Sequence, residues 1–248
     1  MNRLFVPLYI LFALGGIAAC SAPESKETTP ETPQSKPLPD FGKHRTVGFV
    51  VVDGVYNSEL VAPLDLFHHT IFHTDPALKV FTVAPDLDTI TTFEGLHFWP
   101  DYSFDNCPPI DILVVPSAEH SLDTDLDDAA LIAFVKENGE KAEYILSLCD
   151  GAFVLAQAGL LDSVSCTTFP GDIEAFRQRF SHLDVQEGIS LVHDGKAITS
   201  AGGARSFDPA MYLIHHLFGE KVAQGVGRGM VIPWSEEKFQ SYKALPLN

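Results

Sequence analysis

Cys149 sits where an apolar, strand-like run (Tyr144 to Leu148) meets a helix-like run (Ala152 to Leu161). Ser147 and Gly151 flank it two positions away on either side. Small-x-nucleophile-x-small is the pattern of a nucleophile elbow, with cysteine where a hydrolase would carry serine. The strand-to-helix turn is tight enough that larger side chains at the flanking positions would collide. The corner aims the sulfur at the positive end of the next helix, which favours thiolate over thiol. The competing reading is a buried structural cysteine at a strand end, since free cysteine is among the most buried residue types. The flanking pattern favours a reactive thiol.

The surrounding sequence alternates strands and helices. Thr46 to Val52 reads as a buried strand turned by Asp53-Gly54. Ser58 can cap a helix from Glu59 to about His73, with Leu60, Pro63, Leu64 and Phe67 as its apolar stripe. Leu78 to Ala84 is a second strand, Thr89 to Phe98 a small hairpin or edge, and Ile110 to Val115 a fully apolar strand closed by Pro116. Helices follow over 125–140 and 171–180. Leu183 to Ser200 is a hairpin turned by Asp194-Gly195, and Ser206 caps a final helix. Apolar strands alternating with helices imply a mainly parallel sheet covered on both sides. The expected fold is a single three-layer α/β/α domain, flavodoxin-like, over 44–248. Sites in such sheets lie beyond the strand C-termini, where Asp53 to Glu59, Ser117 to His120 and Cys149 all fall.

Three segments then carry a resemblance: Gly54-Val55-Tyr56-Asn57-Ser58-Glu59-Leu60-Val61-Ala62-Pro63, Val114-Val115-Pro116-Ser117-Ala118 and Ser147-Leu148-Cys149-Asp150-Gly151-Ala152. They resemble the site-forming segments of the DJ-1/PfpI (ThiJ/PfpI) superfamily, which is class I glutamine amidotransferase-like. The similarity is closest to the branch with isonitrile hydratases and the sensor domains of some transcription regulators. It implies Cys149 as nucleophile, and Glu59 as a protonated acid that donates to the thiolate, one shared proton stabilising the pair. The other reading of Glu59 is a first-turn acid favoured by the helix dipole. The resemblance also implies an oxyanion hole of backbone N–H groups around Ser117 and Ala118 and at Asp150, fixed before charge develops. Ser117-Ala118 stands where paired glycines are common, which makes the pocket smaller. Many relatives place histidine at the position of Phe169, and phenylalanine cannot take a proton. His120 is the substitute candidate, its alternative being a solvated loop histidine. Asp150 either N-caps the elbow helix or repels anionic substrates. Arg205 either holds a substrate carboxylate or pairs with the acidic surface near Asp208. The resemblance further implies a small-molecule substrate or ligand and a homodimer.

No spaced set of histidines suggests a metal site, and no cofactor is expected. The net charge of −17 argues against nucleic acid, whose phosphates need clustered Lys and Arg. Residues 1–19 read as a lipoprotein signal peptide, with Arg3 before an apolar run too short to span a bilayer comfortably. Gly16-Ile17-Ala18-Ala19-Cys20 resembles a lipobox, making Cys20 the lipidated first residue of the mature chain. Ser21 after it suits outer-membrane sorting in a Gram-negative host, on the periplasmic face. Residues 20–43 follow as a tether, with five prolines among Ser, Thr, Glu and Lys; extended, it would reach roughly 70 Å. Cys107, Cys149 and Cys166 remain, and three cannot all pair. A Cys107–Cys166 disulfide is an open alternative.

Overall fold

The computed structural model describes residues 42–243, so the expected signal peptide, Cys20 and most of the tether lie outside the described residues. In chain order the elements are β1 (Thr46–Val50), α1 (Asn57–His69), β2 (Lys79–Ala84), β3 (Ile90–Thr91), β4 (His97–Phe98), β5 (Tyr102–Ser103), β6 (Ile112–Val115), α2 (Ala129–Lys141), β7 (Tyr144–Leu148) and α3 (Gly151–Gln157). They continue with β8 (Ser165–Cys166), α4 (Ile173–Arg179), β9 (Asp184–Val185), β10 (Leu191–Asp194), β11 (Ala197–Ser200), α5 (Phe207–Phe218), α6 (Glu220–Gly229) and α7 (Glu236–Lys243).

Seven strands form one sheet in the order β10-β11-β7-β6-β1-β2-β5, all parallel except the β10–β11 hairpin at one edge. Because side chains alternate across a strand, β6 sends Ile112 and Val114 to one face and Leu113 and Val115 to the other. The first face is covered by α1, α5 and α6, through Leu66, Phe67, Met211, Leu213 and Val226. The second is covered by α2, α3 and α4, through Leu131, Val135, Phe153, Leu155 and Phe176. This is the three-layer, flavodoxin-like α/β domain expected from the alternation of apolar strands and helices.

Local boundaries differ where tertiary contacts outweigh cap preferences. Ser58 lies inside α1, which starts at Asn57 without a side-chain cap. Ser206 precedes α5 but its hydroxyl caps nothing and is buried unpartnered. Two helices follow α5, so α5 is not the last. The long hairpin over 183–200 is only its inner half: β9 pairs in parallel with β8, away from β10. Cys107 and Cys166 are both free thiols, so the disulfide alternative does not hold.

Phe67 is fully buried between α1 and the sheet, its ring 6.2 Å from that of Phe49. Phe67→Ala should cost about 3–5 kcal/mol in a denaturant titration. A loss under about 1 kcal/mol would mean α1 is not seated as described.

Candidate active site

Cys149 occupies the left-handed region, with φ 51°; among the described residues only Val231 shares this among non-glycines. Such a conformation costs on the order of 1–3 kcal/mol and persists only where neighbours determine it. The Cys149 amide donates to Ser200 O at 3.0 Å, and the Thr168 hydroxyl donates to Cys149 O at 3.0 Å. Gly151 and Gly202 let the backbone close around the corner. A methyl on Gly151 would overlap the Val115 carbonyl, and one on Gly202 would overlap Cys149 itself. The small residue after the cysteine thus answers to a neighbouring strand, not to its partner Ser147 across the turn. Cys149 keeps 8 % of its surface exposed.

Glu59, 3 % exposed in the first turn of α1, lies near enough to Cys149 for each to shift the other's ionisation. Its Oε2 accepts the Ser117 amide and its Oε1 the Gly203 amide, both at 3.0 Å. Burial raises its pKa above the ordinary carboxyl value, while the two amides and the sulfur pull the other way. The sulfur does not behave as helix position alone implied. Burial first, then the charges of Glu59 and Asp150, push the Cys149 thiol up, against an amide hydrogen bond from Asp150. The helix behind it has only seven residues, a short dipole to set against two carboxylates. The thiolate therefore forms only as the flanking carboxyls take up protons.

Asp150 stands at the N-cap position of α3 but caps nothing with its side chain. Its Oδ2 lies 3.6 Å from Cys149 Sγ, which donates to it, and its Oδ1 accepts the Thr168 hydroxyl at 2.9 Å. It is 6 % exposed. Burial above all, and then interaction with Asp172, raise this carboxyl to about 7, with Thr168 and Cys149 opposing.

The other expected residues are placed less directly. Loops 53–57 and 117–119 clasp each other above the strand ends, Tyr56 N donating to Ser117 O at 3.1 Å and Glu119 N to Gly54 O at 3.0 Å. The amides of Ser117 and Ala118 are both engaged, the first by Glu59 and the second by Ser121 Oγ at 2.8 Å. Of the expected oxyanion donors, that leaves the Asp150 amide, already turned toward sulfur. His120 is exposed on its loop and paired with Asp123 at 3.3 Å, not with the cysteine. Phe169 is likewise exposed. Arg205 pairs with Asp208 at 3.5 Å, and Lys238 holds the same carboxylate at 2.9 Å, which favours the surface reading for the arginine.

Sequence reasoning passed over Tyr56, Ser121, Thr168 and Asp172. Tyr56 feels the charges of Cys149, Glu119, Glu59 and Asp150, and its ring packs on Phe93 with centroids 4.8 Å apart. Thr168 and Asp172 flank Phe169, the very place where a missing histidine drew attention. Among the described residues no three His, Cys, Asp or Glu side chains are grouped to hold a metal. A cleft of about 400 Å³ lined by Phe104, Cys107, Ile110 and Phe134 opens at the opposite ends of the strands.

The chain is similar to known proteins. The isonitrile hydratase of Pseudomonas putida is 28% identical over 178 residues, covering 72% of this chain and 74% of that one. The HTH-type transcriptional regulator GbdR of Pseudomonas aeruginosa is 23% identical over 209 residues, 82% of this chain but only 54% of the regulator, so the chain spans about half that protein's length. Among solved structures, a ThiJ/PfpI family protein from Pseudomonas syringae superposes with a TM-score of 0.69 at 23% identity, covering 89% of this chain and 86% of that one, which speaks to fold. The DJ-1/PfpI family matches residues 45–215, spanning every element from β1 nearly to the end of α5 and the whole Cys149 corner: the chain belongs to the DJ-1/PfpI family.

Proposed function

We propose that this protein is a cysteine-dependent enzyme acting on a small electrophile, in a hydratase, hydrolase or glyoxalase-like reaction. One observation carries this reading: the Cys149 sulfur sits at a strained corner, hydrogen-bonded to the buried Asp150 carboxyl and electrostatically coupled to the buried Glu59. Sulfur that must lose a proton to attack is matched there by groups able to take and return one. Glu59 is the family acid that shares the proton with sulfur. The Asp150 amide, turned toward the sulfur, stabilises charge on the thiolate, and the Ala118 amide is spent on Ser121. A sulfur only 8 % exposed, with the carboxyls of Glu59 and Asp150 beside it, suits a small substrate without negative charge. The similarity to an isonitrile hydratase makes isonitriles the first compounds to try.

A second reading, an oxidation sensor or ligand-binding module, draws on the engaged Ala118 amide and on phenylalanine at position 169. The regulator among the relatives agrees with it. The enzyme is tethered in the bacterial envelope by lipidated Cys20, at the outer membrane, and works as a homodimer. Support for the tether is the apolar leader ending in Gly16 to Cys20, and for the dimer the family resemblance alone. The chain's net charge of −17 sets nucleic acid aside as a partner.

Cys149→Ala should lower turnover by about 10³-fold or more on any member of a panel of isonitriles, amides and dicarbonyls that the wild type accepts. Full turnover in that variant sinks the enzyme reading. Site-selective oxygen addition at Cys149 under mild peroxide, seen by intact mass and with no turnover across the panel, would establish the sensor instead. In cells, a clickable fatty acid should label the wild-type protein and not Cys20→Ser; equal labelling of both would remove the lipid anchor. Sedimentation velocity should give twice the chain mass, and a monomer would remove the dimer.

A further inference from the structure

Beyond Glu59, the nucleophile touches a second acid that its family resemblance does not supply. Asp150 Oδ2 is the hydrogen-bond acceptor of Cys149 Sγ at 3.6 Å, while the Thr168 hydroxyl, with one hydrogen to share, lies 2.9 Å from Oδ1 and 3.0 Å from the Cys149 carbonyl. That hydroxyl locks the carboxyl against rotation and leaves only Oδ2 facing sulfur. Asp172 follows four residues after Thr168, its amide held by Phe169 O at 3.0 Å, and its half-buried carboxyl interacts with that of Asp150. Glu59 has no comparable route outward. Both its oxygens already accept backbone amides, and it is 3 % exposed.

We infer that Asp150 is a catalytic residue that takes the proton from the Cys149 thiol, and that Asp172 is a positioning residue linking it to solvent. This rests on the reading of Cys149 as the reacting group. In the step, the S–H proton passes to Oδ2 of the Asp150 carboxylate, making a carboxylic acid. The freed sulfur electron pair forms a bond to the electrophilic carbon of the substrate. With a carbonyl carbon the displaced π pair moves onto oxygen, which takes the proton back from Asp150; with an isonitrile the pair stays on the attacked carbon, and that carbon takes the proton. Protons and electrons balance with no outside reagent. The charged groups around Asp150 are Cys149, Asp172 and Tyr56, with Glu59 acting through the sulfur. The raised pKa of Asp150 fits a carboxyl that exchanges a proton near neutral pH.

The test is the pH dependence of Cys149 alkylation by iodoacetamide, read by peptide mass spectrometry so that Cys107 and Cys166 are counted apart. Wild type should show a rise through an inflection near neutral pH, followed by a second limb at high pH as the thiol ionises by itself. Asp150→Asn should erase the first inflection and slow alkylation at pH 7.5 by about tenfold or more. Asp172→Asn, at a half-buried site and so milder for folding, should keep the inflection but move it to lower pH, since a carboxyl that raises Asp150 is gone. If Asp150 only repels charge, Asp150→Asn would instead speed alkylation by letting the thiol ionise earlier, and the proposal falls. It falls equally if Asp172→Asn leaves the inflection where it was, or if wild-type Cys149 resists alkylation at every pH below 9. Alkylation reads the thiol without substrate, so a null result in the turnover panel leaves this outcome standing and condemns only the enzyme reading.

Discussion

The site depends on a close approach of backbones at one corner. At Cys149 the chain leaves β7 in a left-handed conformation, and the neighbouring segments are near enough that Gly151 and Gly202 must lack side chains. The turn is costly by itself and is held by hydrogen bonds from three directions: Ser200, Thr168 and the first turn of α3. Those same segments bring the chemistry. Ser200 leads into Gly203, whose amide fixes Glu59; Thr168 fixes Asp150. Strain at the nucleophile and order in its surroundings are one arrangement.

That geometry also sets the electrostatics. A cysteine at a helix start is ordinarily expected to ionise easily, yet here burial and two carboxyl groups act the other way. Sulfur, Glu59 and Asp150 are three acids in one desolvated space, and they cannot all lose their protons together. The state of each is then a property of the group as a whole, and reactivity depends on how few protons the cluster holds and where they sit. Backbone amides on both oxygens of Glu59 and a hydroxyl on Asp150 divide the labour: one acid is held, the other is connected outward.

The sheet explains why these groups converge. Parallel strands end on the same side, so the loops after β1, β6, β7 and β11 meet at one edge although they are far apart in sequence. Glu59 and Gly203, which are 144 positions apart, touch for this reason. The two helical layers carry little chemistry themselves. Their buried faces, centred on Phe67 and Met211 on one side and Phe153 and Phe176 on the other, hold the strand ends in register.

By itself the sequence determined the strand and helix alternation and the elbow at Cys149, because each leaves a local mark: apolar periodicity, small flanking residues. Glu59 was reached only through the family resemblance, since a first-turn carboxyl alone equally suits the helix dipole. Sequence reasoning misjudged the helix start at Ser58, the capping role of the Ser206 hydroxyl and the extent of the hairpin before β11, because caps and turns are weak preferences that packing overrides. Only the tertiary structure decided what the polar atoms do. It gave the Ala118 amide to Ser121, turned His120 toward Asp123, and set Asp150 between Cys149 and Thr168 instead of over the helix end. No spacing along the chain reports such choices. They follow from which donors and acceptors are left facing one another when water is excluded, and that is settled by the fold as a whole.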